Sequence, residues 1–331
     1  MYATDNFLDK VYEATLNPRN ILNTSAGNLD ALIQEKRKKL REILKLDFLN
    51  SWEFEPSFAT SKTEQKNGYT LESGNAELLP ELTVPYFILR PKAPKGVVIY
   101  CPGHSNPIHE IFEPGAGKKF HKGLPITMAL NGFTVYMIDY IGFGNVMSHK
   151  FNQDNPDKDR KCYANTANLL LSGVPLVGVR VAQTMAIINH VIANENMGKP
   201  ALVGLSGGAT VTMYTAALTD KIKAACISCY CNTFKGSIMK MSHCIDNYIP
   251  RVLEVGEEPE IISMAYPTPL MLTCGDKDPI YPSDSAAEAI DYVKKAYGIL
   301  GDASLITSEI FDGVHEISVE GIIPWVNLFG A

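Results

Sequence analysis

The sequence predicts an α/β protein, a mostly parallel central sheet with helices on both faces. Three observations predict it. From residue 97 onward, short apolar runs alternate with helix-forming segments, the pattern of strands joined by crossover helices. Those runs are apolar throughout, as strands covered on both faces are. Finally, residues with reactive side chains fall just after the runs, at the carboxyl ends where such sheets gather their chemistry.

Residues 1–50 read as an amphipathic helical extension packed on the core. Its apolar positions (Leu29, Leu32, Ile33, Leu40, Ile43, Leu44) recur at helical spacing, and the basic run Lys36 to Lys39 reads as the solvated face. Residues 51–331 read as one domain. Tyr69–Leu71 and Leu82–Arg90 are short strands opening the sheet in antiparallel fashion, and Pro85 places the second at an edge. Val97–Cys101 is a buried strand, Ile126–Leu130 a helix closed by Asn131-Gly132, and Phe133–Ile138 the next strand. A polar insertion over about 140–175 follows, then a helix from Leu176 to about Ala193. The run ending at Leu205 is a strand, Ala209–Leu218 a helix, and Ala224–Tyr230 a strand. A second insertion covers about 232–266, in which Glu257–Glu260 reads as a solvated turn. Pro269–Cys274 (strand), Ser285–Tyr297 (helix), Ser304–Phe311 (strand) and Gly321–Leu328 (helix) complete the alternation.

With 331 residues, 46% hydrophobic and 20% charged, the chain has an ordinary globular composition. A net charge of −6 and the lack of a basic stripe argue against a nucleic-acid partner. The opening residues carry no basic n-region or apolar core, and no apolar stretch reads as long enough to cross a bilayer. A cytoplasmic protein without a membrane partner is therefore expected. The seven cysteines are odd in number and several lie in apolar strand-like runs, which suits reduced thiols. Cys226, Cys229 and Cys231 invite a metal reading, but in a core strand they pack as small hydrophobes, so no metal is expected.

The chain is organised around Gly204-Leu205-Ser206-Gly207-Gly208, a Gly-x-Ser-x-Gly pentapeptide between an apolar run and a helix-forming segment. That is the sequence form of a nucleophile elbow. Its turn is so tight that the positions two before and two after the nucleophile must be nearly free of side chain. The helix that follows points unpaired N–H groups at nearby negative charge. A serine hydroxyl needs a base, and the base needs an acid to orient it. Of the seven histidines, His315 follows the last strand in a glycine-containing loop aimed back across the strand ends, and is taken as the base. His190 lies in a helix; His121 and His149 lie in polar loops. For the acid, Asp276 and Asp278 compete after a buried strand. Asp278 is preferred because Pro279 to Pro282 stiffens its loop, while Asp276 supports that loop. Asp139, Asp284 and Asp312 read as turn and cap residues.

The order Ser206, Asp278, His315 is that of the α/β-hydrolase fold. The chain resembles an α/β-hydrolase and, within that superfamily, the acetyl xylan esterase and dienelactone hydrolase-like serine esterases. The resemblance spans roughly residues 85–328. Its motifs are Tyr100 to His104, Asp139 to Gly144, Gly178 to Arg180, Gly204 to Gly208, Gly275 to Asp278 and Gly313 to His315. It implies two backbone oxyanion donors, the Gly207 N–H and one from the loop after Cys101. Pro102 has no N–H, so the second donor is His104 or, alternatively, Ser105. Ser105, His243 and Tyr140 are candidate pocket residues, and the His243 stretch reads equally as a packed structural loop.

The expectation is a serine-dependent hydrolase of small carboxylic esters, acetyl-like by resemblance, working through an acyl-enzyme with no cofactor and no metal. Its partner is a small-molecule ester, an intracellular one rather than a polymer. Acyl transfer, thioester cleavage or lactone cleavage would use the same triad, and a non-catalytic ligand-binding module is a further reading. Oligomeric state is left open.

Overall fold

A nine-stranded sheet in the order β1-β2-β3-β5-β4-β6-β7-β8-β9 carries the molecule. The computed structural model describes residues 4–52, 54–104, 108–111, 118–144, 146 and 161–331. Strands β1 (Ser57–Gln65), β2 (Tyr69–Leu79) and β3 (Leu82–Pro91) form an antiparallel meander, and β3 also pairs antiparallel with β5 (Phe133–Ile138). From β5 the sheet is parallel through β4 (Gly96–Cys101), β6 (Ala201–Leu205), β7 (Ala225–Ser228), β8 (Leu270–Gly275) and β9 (Ile306–Phe311). Pro85 is not at an edge, since β3 lies between β2 and β5. It is tolerated because β5 pairs only up to Tyr86↔Ile138. Beyond that pair the Pro85 carbonyl accepts from Asp139 N (3.0 Å), and the missing donor falls where the ladder ends.

The apolar strands divide their side chains between two cores, as a period of two requires. Along β4, Val97, Ile99 and Cys101 face one core while Val98 and Tyr100 face the other. The first core is closed by α2 (Leu29–Ile43), α7 (Leu176–Asn194), α8 (Gly207–Leu218), α9 (Glu258–Ser263) and α10 (Ser283–Leu300). The second is closed by α5 (Leu124–Leu130) and α11 (Val319–Phe329). Helices thus cover both faces. Helix α7 is long and apolar enough to span a bilayer by length and composition, yet most of it is buried in the core.

The amino-terminal stretch holds α1 (Asp5–Thr15), α2 and a short α3 (Leu46–Leu49). A Cβ on Gly178 would stand 2.2 Å from Leu44 O, so α7 touches the backbone just past α2. The Lys36–Lys39 run is not a uniformly solvated face. Lys36 is 2% exposed; its Nζ lies 3.3 Å from Glu260 and donates to Val255 O. Glu257–Glu260 is likewise no solvated turn. It opens α9 with Pro259 in its first turn, and Glu258 and Glu260 are buried. Within the 140–175 insertion stands another helix, α6 (Lys161–Leu171), which the polar composition conceals. His121 is buried in the short α4 (Lys118–His121), its Nδ1 2.6 Å from Tyr100 Oη, and is not a polar-loop residue. His149 lies outside the described residues.

Candidate active site

Ser206 sits between β6 and α8 with φ 53° and ψ −121°, a conformation that few residues other than glycine adopt. Its amide donates to Ser228 O (2.9 Å), tying the turn to the end of β7. The neighbouring glycines are required sterically. A Cβ on Gly204 would stand 2.3 Å from Thr212 Oγ1, and one on Gly208 1.9 Å from Cys101 O. The loop after β4 therefore lies directly on the elbow; a Cβ on Gly103 would meet the Ser206 Cβ at 3.3 Å. Among the described residues the backbone N–H groups of Gly207 and His104 make no backbone hydrogen bond. Ser105 lies outside the described residues.

Asp278 and His315 meet after β8 and β9, with His315 Nδ1 2.7 Å from Asp278 Oδ2. The other Asp278 oxygen accepts from the amides of Ile280 and Tyr281 (3.0 Å each), so the loop fixes the carboxylate, which is buried. Tyr281 stacks on the His315 ring at 5.5 Å between centroids and 15° between planes, limiting ring rotation. Asp276 supports the facing loop through Gly313 N (3.0 Å). The remaining aspartates have local roles. Asp139 accepts from Ile108 N, Asp284 from Ser285 N, and Asp312 pairs with Lys277.

The structure joins Asp278 to His315 directly but does not join Ser206 to His315. Ser206 Oγ makes no hydrogen bond among the described residues. The two do share one rim. Ser206 follows β6, and Cys229, one residue beyond its partner Ser228, has its sulfur within 4.8 Å of the Asp278 and His315 ligand atoms. Catalytic hydrogen bonds are commonly loose until substrate is present.

A second polar cluster flanks the elbow. His104 Nε2 lies 2.8 Å from Asp246 Oδ2, and Arg180 Nη1 donates to the same oxygen. Arg180 Nη2 lies 3.1 Å from Cys162 Sγ, its Nε 3.0 Å from Ile141 O, and its guanidinium 4.1 Å over the Phe143 ring. Burial opposes charge on His104, but the Asp246 carboxylate outweighs it and pushes the imidazole up to about 9. Desolvation also works against the Asp246 carboxylate, yet His104 and Arg180 hold it far below the usual range. The Cys162 thiol is drawn down by its hydrogen bond with Cys244, assisted by Arg180 and His104 against burial. Ligand atoms of His104, Cys162, Cys244 and Asp246 lie within 4.8 Å of one another, a donor set that suits a soft divalent metal. Arg180, however, already places a positive charge against two of them. Cys226 and Cys231 join no such group among the described residues.

Two pocket expectations resolve differently. His243 lies beside the Asp278–His315 pair. Its Nε2 is 3.0 Å from Ser237 Oγ, its ring is 5.1 Å from that of Tyr281, and burial holds its pKa down. Tyr140 is fully buried, with its hydroxyl 2.8 Å from Thr184 Oγ1 and 3.2 Å from Cys101 Sγ, and it packs between the end of β4 and α7. The residues that sequence reading missed are Asp246, Cys162, Cys244 and Tyr281. Three come from irregular or insertion segments with no periodicity to mark them, and Tyr281 looked like a loop stiffener.

Among solved structures the chain is similar to a protein from Bacteroides fragilis assigned as an acetyl xylan esterase. The identity is 16% over 99% of this chain and 95% of that one, with a TM-score of 0.77. It is also similar to a methylesterase (17% identity, 90% of this chain and 63% of that one, TM-score 0.66). A third likeness is to a glucuronoyl esterase from Solibacter usitatus (10% identity, 88% and 91%, TM-score 0.61). At these identities the likeness establishes the fold, which is that of the α/β-hydrolases. No family model and no curated protein matches the sequence.

Proposed function

We propose that the chain is a serine-dependent carboxylic ester hydrolase acting on small acyl esters through an acyl-enzyme. The observation that carries this reading is the Asp278–His315 pair, bonded at 2.7 Å on the rim that also presents the strained Ser206 elbow. In the reaction, His315 Nε2 takes the Ser206 proton as Oγ attacks the carbonyl, and Asp278 holds the resulting imidazolium through Nδ1. The tetrahedral oxyanion forms against the Gly207 N–H at the start of α8, where the helix dipole also favours negative charge, and the His104 N–H in the loop after β4. His315 then protonates the leaving alkoxide, and water activated by the same imidazole clears the acyl group. Esterase names among the structural neighbours support the ester class; a short acyl group follows from the resemblance to acetyl esterases.

The test compares an acetyl ester, a long-acyl ester, a thioester and a lactone side by side, with Ser206→Ala as control. Acetyl ester turnover should be fastest and should fall about 10⁴-fold or more in the variant. Turnover unchanged by Ser206→Ala would overturn the serine mechanism. Preference for the thioester or lactone would move the substrate class while keeping the triad.

A further inference from the structure

Apart from the Asp278–His315 pair, the fold gathers a set of metal-ligating side chains from segments far apart along the chain. His104, Cys162, Cys244 and Asp246 each offer one atom, and these atoms lie within 4.8 Å of one another. His104 comes from the loop after β4, Cys162 from the first turn of α6, and Cys244 and Asp246 from the second insertion. Two thiols, an imidazole and a carboxylate are the ligand types of a tetrahedral zinc site. Ligand atoms in such a site stand about 3.2–3.8 Å apart, so closure asks at most about 1 Å of side-chain movement. His104 Nε2 and Asp246 Oδ2, at 2.8 Å, are already within that spacing.

A second observation points to a cation independently. Asp246 is 6% exposed, and its Oδ1 finds no hydrogen-bond partner among the described residues. A buried carboxylate oxygen left unpaired is costly, and a bound cation removes that cost. The other oxygen is engaged, accepting from Arg180 Nη1 beside His104 Nε2. An ion on Oδ1 therefore leaves the Arg180 contact in place.

We propose that His104 through Nε2, Cys162, Cys244 and Asp246 through Oδ1 hold a structural zinc ion, with Arg180 hydrogen-bonded to two of its ligands. As the ligand bonds form, His104 turns from Asp246 to the metal, and the protons of the imidazole and the two thiols pass to solvent. Two thiolates and a carboxylate then carry three negative charges, against which the ion supplies two positive charges. Arg180 supplies the third. Its guanidinium, 1% exposed and held by Ile141 O and the Phe143 ring, touches Asp246 and Cys162 and cannot itself ligate. The guanidinium thus complements the ion and orients its ligands. Four protein ligands leave no open position, so the ion is structural. It ties α6 and the loop after β4 to the second insertion. This inference goes beyond the serine-hydrolase reading, and none of its readouts requires turnover.

The experiment titrates the reduced, chelator-stripped full chain with Co²⁺ and then Zn²⁺. We expect one Co²⁺ per chain, the visible bands of four-coordinate cobalt, and a near-ultraviolet sulfur-to-cobalt charge-transfer band, all erased by Zn²⁺. Zinc should also shield Cys244, the partly exposed thiol of the set, from alkylation mapped by mass spectrometry. Losing a partner that orients a metal ligand costs about 10–100-fold in affinity, so Cys244→Ser should bind Co²⁺ at least about 100-fold more weakly. Its charge-transfer band should shrink. Cys229, Asp278 and His315 also group ligand atoms within 4.8 Å, and His315→Gln controls for binding there. That variant should bind Co²⁺ as the wild type does. Where Cys244→Ser fails to fold, the wild-type spectrum and thiol shielding decide alone. A wild type that binds no cobalt, or binds it without the charge-transfer band, would overturn the site. So would wild-type affinity in a folded Cys244→Ser, or binding lost in His315→Gln. Each of these outcomes leaves the serine-hydrolase reading standing.

Discussion

Ser206 holds φ 53° and ψ −121° between a buried strand and a helix start, and the contacts around it leave no room for side chains at Gly204 and Gly208. Such a backbone costs about 1–3 kcal/mol and persists only where neighbours over-determine it. Gly208 is the sharpest instance, because a methyl there would stand 1.9 Å from Cys101 O and 2.4 Å from Pro102 O, both backbone atoms. Gly208→Ala should therefore displace the loop after β4, lowering stability by about 1–3 kcal/mol and, on the proposed mechanism, nearly abolishing ester turnover. Denaturant midpoints and steady-state rates check it, and wild-type values for both would contradict it. This steric demand is why the elbow could be read from five letters. Asp278 and His315 were legible because chain order and strand ends locate them. Asp246 was not: an aspartate within an aperiodic insertion has no pattern to show that it bonds His104 and Arg180 from 142 and 66 residues away.

Local rules fail in particular elements where tertiary contacts decide. The alternation after residue 97 was legible because β4, β5, β6 and β8 are apolar on both faces and feed two cores. The basic run of α2 misled, since charge on a helix is usually solvated, whereas Lys36 points inward to Glu260 on α9. Glu260 also accepts from Ile21 N (3.2 Å) and Tyr292 Oη (2.5 Å), so one carboxylate ties together the extension, α9 and α10. Removing one partner of a buried pair leaves the other charge uncompensated. Lys36→Met is accordingly expected to destabilise the chain by about 3–5 kcal/mol at neutral pH, read as a shift in the denaturant midpoint. A loss below about 0.5 kcal/mol, typical of an exposed ion pair, would contradict this reading of α2.

At the scale of the whole molecule, the parallel half of the sheet gives the order in which the polar groups stand. Ser206, Cys229, Asp278 and His315 follow the adjacent strands β6, β7, β8 and β9. The second insertion contributes His243 and Asp246 to the same rim, and α6 and α7 contribute Cys162 and Arg180. Four strand ends, one insertion and two helices thus contribute polar side chains at this end of the sheet. The central claim is that Ser206 forms a covalent acyl intermediate. Mass spectrometry after rapid quenching from an activated acetyl ester tests it most directly. The account predicts a single acetyl adduct on the peptide containing Ser206, absent in Ser206→Ala and formed far more slowly in His315→Ala. An adduct confined to another residue, or none during measured turnover, would contradict it.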